Sequence, residues 1–228
     1  VFFSPFSINA ALSMVYAGAE TDTETQIADA LLVDDEDAWH ANLGALLDDL
    51  SGEHYRPYTL NTANQVWGQE DVPLLESFVG VMEDDYLAPV ETEDFRSDPD
   101  AARDKINKWV KTQTKGHIDE LFRSGDMTTN TKLVVANAIY FKADWEHKFP
   151  KGDTYDGSFT LADGSETQVP LMRSEEEEHY PYYEDEDVQV IEIPYKGEEL
   201  GMVVVLPRDE LGLPDIEANL TAEQLTTW

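Results

Sequence analysis

Apolar residues recur at helical spacing through the first half of the chain and alternate through much of the second. After Val1–Phe3, which reads as a short strand, Ser4 and Pro5 are residue types that favour a helix cap and a first helical position. Ile8, Ala11, Leu12, Val15, Tyr16 and Ala19 follow at intervals of three and four, with Gly18 marking the end. The stretch TDTETQIADALL predicts a second helix capped by Thr23 or Thr25, and EDAWHANLGALLDDLSG a third, closed by Gly52. In YTLNTANQVWGQ, Leu60, Thr62, Asn64 and Val66 alternate with Asn61, Ala63, Gln65 and Trp67, which predicts a strand. PLLESFVGVMEDDY reads as a helix and LAPVETEDF as a strand. The strongest helix signal follows, with Asp98 as cap, Pro99 leading, Ile106, Trp109 and Val110 as its apolar stripe, and an end near Gly116.

Leu133–Phe141 is apolar on both faces, which predicts a central strand covered from both sides. Asn137 interrupts one of those faces. Asparagine is a poor strand former, and a buried amide without partners costs on the order of 1–3 kcal/mol. It either sets strand register as a satisfied core amide or does something more specific. Beyond it, Asp156-Gly157 and Asp163-Gly164 read as hairpin turns, VQVIEIPYKGEELGMVVVLP as a two-stranded hairpin, and LPDIEANLTAEQLTTW as helical. Helices ahead of strands, with no internal repeat and no linker, predict an α+β chain whose 228 residues form one domain.

Charge narrows the functional classes. The chain holds 48 Asp and Glu against 15 Lys and Arg, a formal net charge of -33. Nucleic acid and anionic membrane surfaces both ask for basic patches and are not expected partners. The acids are spread along the chain, as in DDEDAW, MEDDY and SEEEEHY, so they read as a solvent adaptation to high salt rather than an interaction tail. There is no cysteine, and no apolar run reaches the ~18 residues of a membrane helix. The start, without Met and already apolar, reads as truncated, and the final helix stops without a cap or tail.

Candidate chemistry is sparse. No phosphate loop, nucleophile elbow or H-E-x-x-H is present, and the histidines at 40, 54, 117, 147 and 179 are scattered. The tract EEEEHYPYYEDED lacks the spacing and glycine of a calcium loop. Carboxylate pairs are too common here to point to a hydrolase, although one using two of them is a possible class. Asn219 in NLT matches a glycosylation acceptor. No cofactor is called for, and the residues by themselves do not describe an enzyme. The anomalies are the polar residues in apolar settings: Asn137, and the pair Ser4 and Ser7.

Four stretches, in order, resemble the serpin family: VFFSPFSINAALSMVYAGAETDTETQIADAL, INKWVKTQTKGHIDELF, LVVANAIYFKADWEHKF, and the hairpin region through VVVLP. The resemblance spans the chain. It implies helices packed on a large mixed sheet A with sheets B and C, and a monomeric, metastable inhibitor of a serine protease. In that family an exposed loop is cleaved and inserts into sheet A as an extra strand, trapping the protease as a suicide substrate. On this reading residues 1–228 form the N-terminal part of such a domain, with hinge, reactive loop and last strands lying beyond Trp228. Asn137, Ser4 and Ser7 fall at the sheet-opening latch called the shutter, and Trp145 at the breach where insertion begins. Asn107, Trp109, Thr114 and Gly116 fall on the helix that lies over sheet A. Two positions depart from the family pattern: Ala143 stands for the usual Gly, and His117 for the usual basic residue. The alternative is a non-inhibitory binding or chaperone module of the same fold. Extracellular or cell-surface placement is what the resemblance implies, and the acidic composition fits a cytoplasm in strong salt equally well.

Overall fold

The structure, a computed structural model, describes residues 3–51, 56–174 and 179–228, apart from the side chains of residues 36, 37 and 51. The strand expected over Val1–Phe3 lies partly outside the described residues. Gly52 as a helix end, His54 and the run 175–178 of the acidic tract also lie outside them. The described residues cluster into two compact units. One takes in residues up to 51 and 59–141, the other 56–58 and 142–228.

In the first unit, helices α1 (Pro5–Tyr16), α2 (Thr21–Leu31) and α3 (Glu36–Ser51) precede strand β1 (Tyr58–Gln69), which begins at the edge of the second unit. Helix α4 (Glu76–Asp84), strand β2 (Val90–Glu93), helix α5 (Pro99–Gln113) and strand β3 (Leu133–Ala143) complete it. The strands form a sheet in the order β2-β1-β3. β1 and β2 run parallel, with Val66 opposite Val90 and Gln69 opposite Glu93. The Gln69 amide donates to the Lys132 carbonyl at 2.8 Å, bringing the end of β1 to the start of β3.

Alternation on β1 sorts the core into two layers. Val66 faces Met14 of α1, Leu43 and Leu47 of α3, Phe78 and Met82 of α4, and Tyr86, with Phe6 and Val135 packed at the margin. Trp67, one residue on, faces Phe95, Ile106 of α5, Met127, and Val134 and Ala136 of β3. One face of β3, with Val134, Ala136 and Ala138, is buried, while on the other Val135 and Asn137 are half-buried and Leu133 and Phe141 are exposed, so the strand is not covered on both sides as its pattern predicts. Among the described residues β3 also lies at the edge of the sheet and β1 is central. Apolar faces report what lies above and below a strand. They carry no information about what pairs beside it.

Three expectations are corrected. On α1 the buried face is Ala10, Ser13, Met14 and Tyr16, while Ile8, Leu12 and Val15 are exposed. That helix is apolar around most of its circumference, so spacing alone does not choose its face. The second helix starts at Thr21, after Glu20, with no side-chain cap from Thr23 or Thr25. Gly157 lies inside a strand of the second unit rather than in a turn.

That second unit contains the hairpin β4 (Tyr155–Thr160) and β5 (Glu166–Leu171), and the antiparallel sheet β6 (Tyr182–Glu184), β7 (Val188–Pro194) and β8 (Gly201–Pro207). Asp163-Gly164 does make the hairpin turn, with Gly164 at φ +79° and the Asp163 carboxylate accepting from the Ser165 amide. Gly157 instead lies against a neighbouring side chain: a Cβ there would stand 2.4 Å from Leu171 Cδ1, so Leu171 would have to turn aside to admit one. The closing helical stretch is two short helices, α6 (Leu213–Asn219) and α7 (Ala222–Thr227), parted because Thr221 and Gln224 form a capping box.

Candidate functional site

Asn137 lies in the middle of β3 on the face that packs toward α1. Its Nδ2 crosses to the neighbouring strand and donates to Asn64 Oδ1 at 2.7 Å. Asn64, buried on β1, donates in turn from its own Nδ2 to the Tyr86 carbonyl at 2.9 Å. The Tyr86 ring is fully buried, and its hydroxyl lies 2.5 Å from His40 Nδ1. Burial pushes that phenol well above its ordinary pKa, a hydrogen bond with Ser13 offsetting this in part, so it stays neutral. Ser13 Oγ also accepts from Trp39 Nε1 at 3.0 Å. A polar path thus runs from the sheet into the helices behind it. Asn137 Oδ1, at the open end of this path, is buried without a partner among the described residues.

Ser4 caps α1: its Oγ accepts from the Ser7 amide at 3.1 Å, and Pro5 takes the first helical position. The Ser7 hydroxyl is buried and, like Asn137 Oδ1, has no partner among the described residues. The structure therefore joins Asn137 to Asn64 and Ser4 to the Ser7 backbone. Among the described residues neither serine side chain is joined to the sheet.

Helix α5 covers the opposite face. Asp98 caps it, accepting from Ala101 N at 2.9 Å. Asn107 is nine-tenths buried and fastens the following loop: its Oδ1 accepts from the amides of Leu121 and Phe122, and its Nδ2 donates to the Phe122 carbonyl at 2.8 Å. Trp109 stands edge-on to Trp67 of β1, ring centroids 5.3 Å apart. The Thr114 hydroxyl donates to the Val110 carbonyl and accepts from Ile118 N. The helix ends in a Schellman motif, with Gly116 N bonded to Lys111 O at 2.8 Å and Lys115 N to Thr112 O. Lys115 occupies the left-handed position at φ 51°, and Gly116 follows at φ 81°. Lys115 Nζ then lies over the ring of Tyr140 in β3, on which His117 also stacks. Ion pairs hold the outer surface: Arg103 with Asp100 and Asp104, Lys105 with Glu91 and Glu93 of β2, and Lys111 with Asp119. Asn107→Ala should leave two loop amides without acceptors and cost about 1–3 kcal/mol, read as a lower thermal midpoint and faster amide exchange at Leu121 and Phe122.

Trp145 belongs to the second unit. It forms an isolated antiparallel bridge with Tyr195, just past β7, and the two rings stack at 4.7 Å and 8°. Lys196 N bonds the Asp144 carbonyl and Glu146 N the Pro194 carbonyl, so the turn after β3 is sewn to the end of β7.

Little here supports other chemistry. Among the described residues no three His, Asp or Glu side chains gather to hold a metal, and no helix is long and apolar enough to cross a membrane. A cavity of about 290 Å³ is lined by Tyr183, Asp185, Asp187 and Trp228, but the Asp185 carboxylate is taken up by the amides of Val188 and Asp187, which hold its pKa below the ordinary value. Asn219 is exposed at the end of α6 and donates to the Asp215 carbonyl.

The family model described as "Serpin (serine protease inhibitor)" matches residues 1–228. The chain belongs to the serpin family. Among relatives of this serpin, the leukocyte elastase inhibitor of Equus caballus is 38% identical over 100% of this chain and 61% of its own length. An uncharacterized serpin-like protein of Thermococcus kodakarensis is 39% identical over 97% of this chain and 51% of its own length. Among solved structures, emu (Dromaius novaehollandiae) ovalbumin matches with a TM-score of 0.89 at 30% identity, over 100% of this chain and 62% of its own. An Arabidopsis serpin in its native stressed conformation matches with 0.90 at 30% identity, over 100% and 59%. This serpin therefore spans about three fifths of the elastase inhibitor's length. Its fold is the α+β serpin fold, in which the strands β1–β3 belong to sheet A.

Sequence reasoning picked out Asn137 and passed over its partners. Asn64 is read there as one polar position in an alternating strand, and Tyr86 as the end of a helix. Their one available signal is Asn64 itself, a second asparagine on an apolar strand face beside Val66.

Proposed function

We propose that the whole protein inhibits a serine protease as a suicide substrate, by insertion of a cleaved loop into sheet A. The loop would lie in the two fifths of its relatives' length that this sequence does not span. The observation that carries the reading is the seam between β1 and β3: a side-chain hydrogen bond, Asn137 to Asn64, crosses it, and a buried acceptor beside that bond has no partner among the described residues. An apolar, fully satisfied seam has one good arrangement. A seam latched by an amide with a spare acceptor can be remade with different partners, which is what a sheet that opens and recloses requires. On α1 the Ser7 hydroxyl, buried without a partner among the described residues and held beside the Ser4 cap, is the group available to that latch, Trp145 marks the end where insertion starts, and α5 is the element that must shift. The partner is a serine protease met by a monomer. The acidic composition is an adaptation to a high-salt medium.

The test is incubation of the whole protein with a panel of serine proteases. A protease–inhibitor complex that survives denaturing electrophoresis is expected. Cleavage of the protein without such a complex, across the panel, would favour the non-inhibitory module instead. Asn137→Ala should speed conversion to inactive or polymeric forms by roughly 5- to 150-fold, corresponding to about 1–3 kcal/mol. An unchanged conversion rate would rule out the latch.

A further inference from the structure

Helix α5 and the turn after it are fastened to each strand of the sheet by a different chemistry. Lys105 reaches the carboxylates of Glu91 and Glu93 on β2. Trp109 meets Trp67 of β1 edge to face. Past the end of the helix, Lys115 Nζ stands 4.5 Å from the centroid of the Tyr140 ring on β3. His117 stacks on the same ring, with centroids 5.4 Å apart at 26°. Tyr140 shares its face of β3 with Val134 and Ala136, which pack in one layer with Ile106 of α5.

Two observations set the third fastening apart. The chain holds 48 acids against 15 lysines and arginines, and Arg103, Lys105 and Lys111 of α5 each pair with acids. Lys115 is directed at a ring instead. Its backbone is also left-handed, at φ 51°, a conformation that glycine adopts freely and lysine only at a cost. A residue held in such a conformation needs contacts that oppose its relaxation, and the Tyr140 ring supplies one. Lys115 and His117 are exposed, whereas Trp67 is buried. The contact can therefore let go without opening the core around Trp67.

We propose that Lys115 is a positioning residue for the displacement of α5: its cation on the Tyr140 ring holds the strained turn onto β3, and loss of that contact sets how readily the C-terminal end of α5 leaves the sheet. This rests on the reading of α5 as the element that shifts. Strain favours departure once the contact breaks, because a freed Lys115 can return to right-handed backbone. The contact is a retainer that works against a spring.

The experiment compares Lys115→Gln, Lys115→Arg and Lys115→Gly in the whole protein. The first removes the charge, the second keeps a cation that suits an aromatic face, and the third removes the side chain and relieves the backbone. Amide exchange at Gly116, His117 and Ile118 reports on the turn, and the rate of spontaneous conversion to inactive forms reports on displacement of α5. Lys115→Gln should speed both by about two- to fivefold, corresponding to about 0.5–1 kcal/mol. Lys115→Arg should restore both. Lys115→Gly should speed conversion less than Lys115→Gln, because it removes the spring together with the retainer, and equal rates would overturn the role of strain. Exchange at Ala102, at the other end of the helix, should not change. Unchanged exchange at residues 116–118 in Lys115→Gln, or a rise at both ends of α5, would overturn the retainer. Faster exchange at 116–118 alone, with an unchanged conversion rate, would keep the contact and overturn the reading of α5 as the element that shifts.

Discussion

Trp67→Ala should lower the stability of this serpin by about 3–5 kcal/mol, visible as a fall in thermal midpoint of roughly 6–20 °C. Trp67 is 1% exposed on the central strand of its sheet. It touches residues from β3, α5 and the connections on either side of α5, so no single neighbour can move in to fill the space it leaves. Its edge-on contact with Trp109 adds about 0.5–1.5 kcal/mol beyond the area it buries. Trp109→Ala separates the two contributions. It should remove the aromatic pair while leaving Trp67 packed, and cost less. If Trp67→Ala cost no more than Trp109→Ala, the layer between α5 and the sheet would be far looser than its geometry.

The second large effect concerns salt. The thermal midpoint should rise with added KCl, on the order of 10 °C between about 0.1 M and about 1 M, as the screening length falls from about 10 Å to about 3 Å. No lysine or arginine precedes Arg56, so the acids of α2 and α3 have no cationic neighbour along the chain. Their repulsion is relieved only by screening. Potassium chloride is the right probe, since sulfate would raise the midpoint by strengthening apolar burial as well. A midpoint that stays flat or falls in KCl would remove the case for adaptation to high salt.

Much of the fold was legible because it rests on local signals. Asp98-Pro99 and Ser4-Pro5 begin helices where their chemistry says they should, and both caps form. β1 runs over the residues its alternation predicts. What resisted reading depends on groups distant in sequence. Asn64 and Asn137 are separated by 73 residues, and nothing local to either names the other. Gly157 looked like a turn residue because an Asp precedes it, yet it pairs with Val169 inside a strand. The apolar surplus on α1 hid which face turns inward.

The ion pairs along α5 give ionic strength two opposed jobs. Four of the chain's 15 lysines and arginines stand on this one helix, and three of them grip acids on the helix itself, on β2 and on the loop that follows. Added salt that quiets repulsion across the rest of the molecule will at the same time weaken these grips, because both are exposed electrostatics and both are screened alike. A concentrated medium would thus stiffen the body while lubricating its cover. If the sheet opens as proposed, the rate of that opening, unlike the melting point, would then carry a salt optimum of its own.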